Sequence, residues 1–221
     1  MVRKLVVFAS ILSACTVGAA IAMEKTNLYL SGDNELHGGD AIAKQSAHVN
    51  VYDGAQIRAY DQSIIKAFDT CQVNAFDNST VQAFASAKVK AYDNTRVQAE
   101  NTSEVDAIGN VNVQATGKAK IVAHGNVHVF ATDKVTVQAY DNVSVFADGN
   151  ATVDAHDKAV IMLRQNSSAT ANDDVQVKAY NESKVNATGK ADVEAYDTST
   201  VEAGPHVLVS RHDEAKVKQA K

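Results

Sequence analysis

From Val49 onward the apolar positions of the chain recur with a period of eight. Every eighth residue through Val217 is Val or Ile, with Ala169 the single exception. Ala follows each anchor by two positions without a break from Ala59 to Ala155, and again from Ala171 to Ala203. Two positions before the anchor stands a small residue or a valine, as at Ala55, Ser63, Cys71, Ser79, Ala87 and Thr95. The residues between them are polar, as in Lys88, Lys90, Arg96 and Gln98. Alternation of this kind predicts a short strand with one buried face. A helix at about 3.6 residues per turn would scatter the same positions around its cylinder. The remaining three positions of each octad, such as Tyr92-Asp93-Asn94, are turn formers. Gly replaces Asp there at Gly109, Gly117, Gly125, Gly149 and Gly189.

Strand plus turn, repeated without interruption, predicts an all-β chain folded as a single β-solenoid, in which each coil touches only its neighbours. Two octads per coil give a flattened tube and three a triangular prism. Inward residues that are mostly Ala, Ser and Val are too small to fill a wide prism at normal packing density. Valine at the position before the anchor points the same way. Val111, Val127, Val143, Val175 and Val207 are separated by multiples of sixteen, with Val135 outside the set. The outward apolar residues Phe130, Phe146 and Met162 are also sixteen apart. Coils of sixteen residues are therefore expected. About eleven of them, at ~4.8 Å each, make a rod roughly 50 Å long.

The octads resemble those of bacterial ice-nucleation proteins, whose sixteen-residue units alternate Ser-x-Leu/Val-x-Ala before a Gly/Tyr turn. Ser79-Thr80-Val81-Gln82-Ala83 matches that inward register. The similarity covers residues 47 to about 210 and is one of solenoid grammar; it departs at the turn, where Tyr-Asp replaces Gly-Tyr-Gly, and at the outward positions. Similar Val-x-Ala-Tyr-Asp octads occur in uncharacterised exported bacterial proteins. The resemblance implies a capped β-solenoid and raises ice binding as a function.

The two ends break the period. Arg3 and Lys4, the apolar run Leu5 to Ala22, and Ala20-Ile21-Ala22 read as a signal peptide over residues 1–22. Leu12-Ser13-Ala14-Cys15 offers a competing lipobox, with Cys15 as a lipid-bearing N-terminus, and retention of the segment as an anchor is a third reading. Residues 23–46 are expected to form an N-terminal cap, 47–210 the repeat solenoid, and 211–221 a charged C-terminal cap. The reason for caps is that open strand edges invite fibre growth. The burst Val160-Ile161-Met162-Leu163, followed by Ala169, is read as drift, with a kink or a subunit contact as alternatives.

Composition narrows function. A net charge of −5, becoming −7 once Arg3 and Lys4 are removed, argues against nucleic acid as a general partner. After cleavage Cys71 is the one cysteine left, so neither an internal disulfide nor a thiolate metal cluster is available.

Stacked in sixteen-residue coils, Asp61, Asp77 and Asp93 lie directly over one another, as do Asp141, Asp157 and Asp173. Carboxylates about 5 Å apart repel, so they must bond turn amides, shift in pKa or bind a cation such as calcium. Amide capping is the expected role. Aromatics form further columns, Tyr60-Phe76-Tyr92 and Tyr52-Phe68-Phe84, in which Tyr52, Tyr60 and Tyr92 are the candidate glycan contacts. This column thins after Tyr92, placing any sugar groove in the N-terminal half. His124 and His156 are separated by Tyr140 and so lie about 10 Å apart, too far for joint ligation. Ice binding asks for a regular array of hydroxyls, whereas the outward threonines Thr80, Thr136, Thr152, Thr170 and Thr200 are scattered among charged residues.

No Ser/His/Asp order, catalytic carboxylate pair or phosphate loop stands out of the repeat, and no cofactor is expected. The chain is read as an exported, secreted, periplasmic or cell-surface rod, non-enzymatic and adhesin- or scaffold-like. Its partner would be a cell-surface glycan, an envelope component or another copy. Membrane contact would come only through the N-terminal segment or a lipid on Cys15. A carbohydrate- or calcium-binding module is the alternative, and an ice-binding protein a further one.

Overall fold

The computed structural model describes residues 5–8 and 28–220, so Cys15 and most of the expected signal segment lie outside the described residues. The described chain is all-β, with strands numbered β1 to β26 in chain order and no helix, hence no helix long and apolar enough to cross a membrane. Two parallel sheets of 13 strands each take alternate strands. Sheet A holds the odd-numbered strands and sheet B the even-numbered ones.

The repeat explains this directly. Four residues such as β16 (Thr136–Ala139) cross one sheet, a four-residue connection (140–143) turns the corner, and β17 (Ser144–Ala147) returns along the other. Val137 then lies beside Val153 and Val145 beside Ile161, one coil of sixteen residues further along. A triangular coil of three octads is excluded by this register. Amides bridge successive coils along the whole rod, as in Thr136 N to Ala119 O at 3.0 Å and Thr152 N to Val135 O at 2.9 Å. Parallel strands need a crossover connection, and the flattened coil supplies one with only a corner.

The inward residues form the expected dry interior. The anchors and the Ala residues after them are buried, almost all with 0–4% exposure. Its small side chains keep the interior thin, and close packing must come from the stacking of identical shapes. One coil departs from the rule twice. Leu163 stands where Ala belongs, and Ala169 stands where Val or Ile belongs; both are buried, on consecutive strands β19 (Val160–Leu163) and β20 (Ser168–Ala171). The larger and the smaller inward side chain thus fall in the same coil on opposite sheets, where one can offset the other.

Serines and a threonine at the position before the anchor are also buried. Ser79, Thr95 and Ser167 turn their hydroxyls back to the carbonyl three residues earlier, at 2.7, 2.6 and 2.6 Å. Ser63, Ser103, Ser183 and Ser199 make no such bond. Cys71 is fully buried, and burial pushes its thiol pKa up, which keeps it protonated and unreactive.

Both sheets run past the boundaries expected from the period. At the N-terminal end β2 (Leu28–Leu30), β3 (Asp33–His37) and β4 (Asp40–Ala43) already pair within the sheets, and Leu30 and Leu36 join the core. Leu28 pairs with Ala41 and Asn34 with Val49, so the first coils are shorter than sixteen residues and escape a fixed-period search. At the other end β25 (Leu208–Arg211) and β26 (Lys216–Gln219) are the last rungs, although Arg211 and Gln219 replace the inward Ala. The described parts of the regions read as caps, residues 28–46 and 211–220, thus contribute rungs to the same two sheets. Leu5–Phe8, within the segment read as a signal peptide, forms β1 and pairs with β3 as the outermost strand of sheet A. Thirteen rungs per sheet at roughly 4.8 Å make a rod about 60 Å long.

Candidate functional site

Corners, the natural place for a column of identical groups, are where the sequence put its candidate chemistry. Asp77 sits at φ 59° and Asp141 at φ 57°, a left-handed conformation that Asp and Asn tolerate better than most residues. Glycine takes the same place at Gly189, where a Cβ would come within 2.7 Å of the Asp173 backbone nitrogen. Each carboxylate reaches back one coil. Asp77 Oδ2 accepts from Asp61 N at 3.0 Å, and Asp93 Oδ2 from Asp77 N at 3.2 Å. Asp141 accepts from Gly125 N at 2.9 Å, Asp157 from Asp141 N at 3.1 Å, and Asp173 from Asp157 N at 3.3 Å. Asp61 does the same for Gln45 N at 2.8 Å. The column is an amide-capping ladder, with one oxygen committed per coil. Among the described residues no group of three or more His, Cys, Asp or Glu side chains is placed to hold a metal ion.

The aromatic columns occupy the same corners. Tyr52 lies between His37 and Phe68, with ring centroids 4.9 Å away on each side. Tyr60 stacks on Phe76 at 4.9 Å, and Phe76 on Tyr92 at 4.9 Å. Sugar recognition needs an open ring face. Both faces of Tyr52 are taken, and Tyr60 and Tyr92 each spend one face on Phe76. Beyond Tyr92 its column is interrupted by Ile108 and resumes as His124, Tyr140 and His156, which stack at 4.7 and 5.1 Å. The Tyr52 column is interrupted after Phe84 and resumes as Tyr180, Tyr196 and His212, at 4.8 and 4.5 Å. Stacked rings are therefore not confined to the N-terminal half. In the last stack Tyr196 donates to Glu194 Oε2 at 2.7 Å. That bond, with Lys178 beside it, holds the Glu194 carboxyl below its ordinary range and pushes the Tyr196 phenol up to about 12.

The flat faces of the sheets remain. On sheet B the outward side chains are mostly charged or polar, with Tyr29, Ile42 and Val122 as exceptions; Lys88, Glu104 and Lys120 pair there at 3.1 and 3.9 Å. Thr136, Thr152 and Ser168 make a hydroxyl column three coils long, which Lys184 then interrupts. Sheet A is different. Phe130 on β15 (His128–Ala131) stacks on Phe146 of β17 at 5.0 Å, and Met162 of β19 continues the column. Phe130, Val160 and Met162 are 45%, 45% and 37% exposed, an unusual arrangement for side chains of this size. With His128, Ser144 and Val160 in the adjoining column they flank a shallow apolar groove of about 430 Å³. The spacing of Phe130, Phe146 and Met162 was visible in the sequence as a measure of coil length. That they form the apolar centre of one face is visible only once both columns are placed together. This face is the candidate functional surface.

Comparison with protein-family models, with curated proteins and with solved structures finds no match to the chain.

Proposed function

We propose that the chain is an exported, non-enzymatic rod whose flat outer face, centred on Phe130, Phe146 and Met162, binds another macromolecular surface. The observation that carries this reading is the position of the patch. Apolar side chains sit outward in three consecutive rungs of a sheet whose core is already complete without them. Folding gives no reason to place phenylalanine there, since outward Ser, Thr, Gln and Lys serve neighbouring rungs equally well. Export rests on Arg3, Lys4 and the apolar run Leu5 to Ala22. A straight rod made by adding rungs suits a display or scaffold role, because length and face are set independently.

The test is fractionation of cells expressing the tagged chain, followed by labelling of intact cells with a membrane-impermeant reagent. The reading expects the chain outside the cytoplasm and labelled at the surface. Retention of the full chain in the cytoplasm overturns it.

A further inference from the structure

The partner of the apolar face can be identified from the charges that flank it. We infer that sheet A is a dimer interface, and that its partner is a second copy of the chain docked antiparallel about a two-fold axis through β17. This deepens the display reading by naming the surface that the face binds.

The argument starts from the symmetry of the face. A two-fold axis lying in the interface and parallel to the strands reverses the rod and keeps the strand direction, so each column of side chains meets its own counterpart. With the axis at β17, Phe146 meets Phe146 of the other copy. β15 then faces β19, setting Phe130 against Met162 and His128 against Val160, so that every member of the apolar patch is covered.

The next rungs are polar and matched. β13 (Asn112–Ala115) faces β21 (Gln176–Ala179), an amide-rich pair. Three strands from the axis on one side lies β11 (Arg96–Ala99), and three strands away on the other lies β23 (Asp192–Ala195). Arg96 and Asp192 hold the same position in their strands, so each Arg96 meets one Asp192 of the other copy, and the pair occurs twice, once in each half of the dimer. Both are exposed, and among the described residues neither forms an ion pair. One rung further, Leu208 of β25, which is 68% exposed, meets Thr80 of β9 (Thr80–Ala83).

The alternative two-fold, with the axis along the rod, sets each strand against itself reversed. Asp192 would then face Glu194 of the other copy, an unfavourable like-charge contact. Nine rungs about 13 Å wide and ~43 Å long cover roughly 1,100 Å² in total, just above the ~1,000 Å² a specific interface needs. The expected complex is therefore a modest, reversible dimer.

The experiment is sedimentation equilibrium on the purified full chain and its variants. Wild type should dimerise reversibly at micromolar concentrations. Phe146→Glu places two carboxylates on the axis and should weaken the dimer by at least ~30-fold. The sheet-B control Gln138→Glu should leave it unchanged. Arg96→Asp and Asp192→Arg should each weaken it about 10-fold, and the two combined in one chain should restore it to within ~3-fold. Circular dichroism verifies that each variant keeps its β-structure; the two charge variants carry the test if Phe146→Glu does not fold.

A wild-type monomer, or a dimer indifferent to Phe146→Glu, overturns the interface. Failure of the charge swap to restore binding overturns the antiparallel docking. A monomer that still reaches the cell surface sinks the dimer and spares the display reading, whereas a dimer held in the cytoplasm does the reverse.

Discussion

Sheets A and B share one core, one period and one backbone register, yet their outer faces have little in common. Among the described residues, five of the seven exposed large apolar side chains lie on sheet A: Ile64, Phe130, Val160, Met162 and Leu208. Sheet B carries Gln56, Gln72, Lys88, Glu104, Lys120 and Thr136 at the matching positions. The contrast shows how a solenoid divides its tasks. Inward positions answer to the coils above and below and to the opposite sheet, so they vary little. Outward positions touch only their column neighbours, at most a few tenths to 1 kcal/mol each, and are free to take on other duties. An apolar cluster on one face alone therefore points to something outside the fold.

The largest expected effects test the shared core that lies beneath both faces. Leu163→Ala should cost about 2–5 kcal/mol by leaving a cavity, and Ala169→Val about 1–3 kcal/mol by overpacking. If the two residues compensate, the double variant should be more stable than the sum of the singles by about 0.5–3 kcal/mol. Urea denaturation of the four proteins measures this, and simple additivity would show that the two sheets pack independently.

Corner substitutions come next, because the corners join the two faces. Asp141→Ala removes the acceptor for Gly125 N–H and puts a Cβ without a polar partner at φ 57°; it should cost about 1–2 kcal/mol. Asp141→Gly should cost less, since the conformation is then relaxed. Asp141→Asn should cost least, as Asn181 already fills this role for Gln165 N at 3.2 Å. Equal losses from all three would show that the ladder bond is not what holds the corner.

Smaller still is the effect of changing a face. Phe146→Ser should lower the stability of the isolated chain by only about 1 kcal/mol, the contribution of its stack with Phe130. Thr136→Ser on sheet B should change it by less than about 0.5 kcal/mol. A loss at Phe146 as large as that from Leu163→Ala would make the residue part of the core and remove the basis for a binding face.

The smallest effect is electrostatic and confined to one end of sheet A. Tyr196 and Lys178 hold the Glu194 carboxyl below its ordinary 4.5. In acid the unfolded chain therefore takes up the proton first, and stability present above pH 4.5 is lost as pH falls through the folded value. The Tyr196 phenol, raised from 10.0 to about 12, behaves in the opposite sense. Its share is present below pH 10 and is lost as pH rises towards 12, because the unfolded chain releases the proton first. Both groups are exposed, so the slopes will be shallow. Tyr196→Phe should flatten the alkaline slope and reduce the acid one; unchanged pH profiles would mean that the Tyr196–Glu194 bond does not persist in water.

The sequence made the repeat legible because a strand buries every second residue, and Val-x-Ala at a constant interval leaves no other regular solution. Coil size was legible for a second reason. Val111, Val127 and Val143 fall on one sheet, so the chain distinguishes its two sheets. The terminal rungs were not legible. The pairing of Leu28 with Ala41 and Asn34 with Val49 omits residues at corners, and a constant period cannot follow that. Ring stacking beyond Tyr92 was obscured because Ile108 breaks the column, and because the histidines that flank Tyr140 differ from Phe and Tyr in polarity while sharing their flat shape. The Leu163 and Ala169 pair read as noise because each breaks the pattern alone, and only the fold shows that both side chains are buried, on opposite sheets. The Asp column was readable as a set of turn-amide caps, while the partner of each carboxylate, the amide one coil back, comes from the fold.

All of this depends on the coil being sixteen residues around. The most direct measurement is through-hydrogen-bond scalar coupling by NMR on labelled protein. The Thr152 amide should couple to the carbonyl of Val135, which it meets at 2.9 Å, and the Ser168 amide to that of Ala151, also at 2.9 Å. Coupling of these amides to carbonyls one octad further back, or protection with no cross-coil partner, would contradict the two-sheet rod.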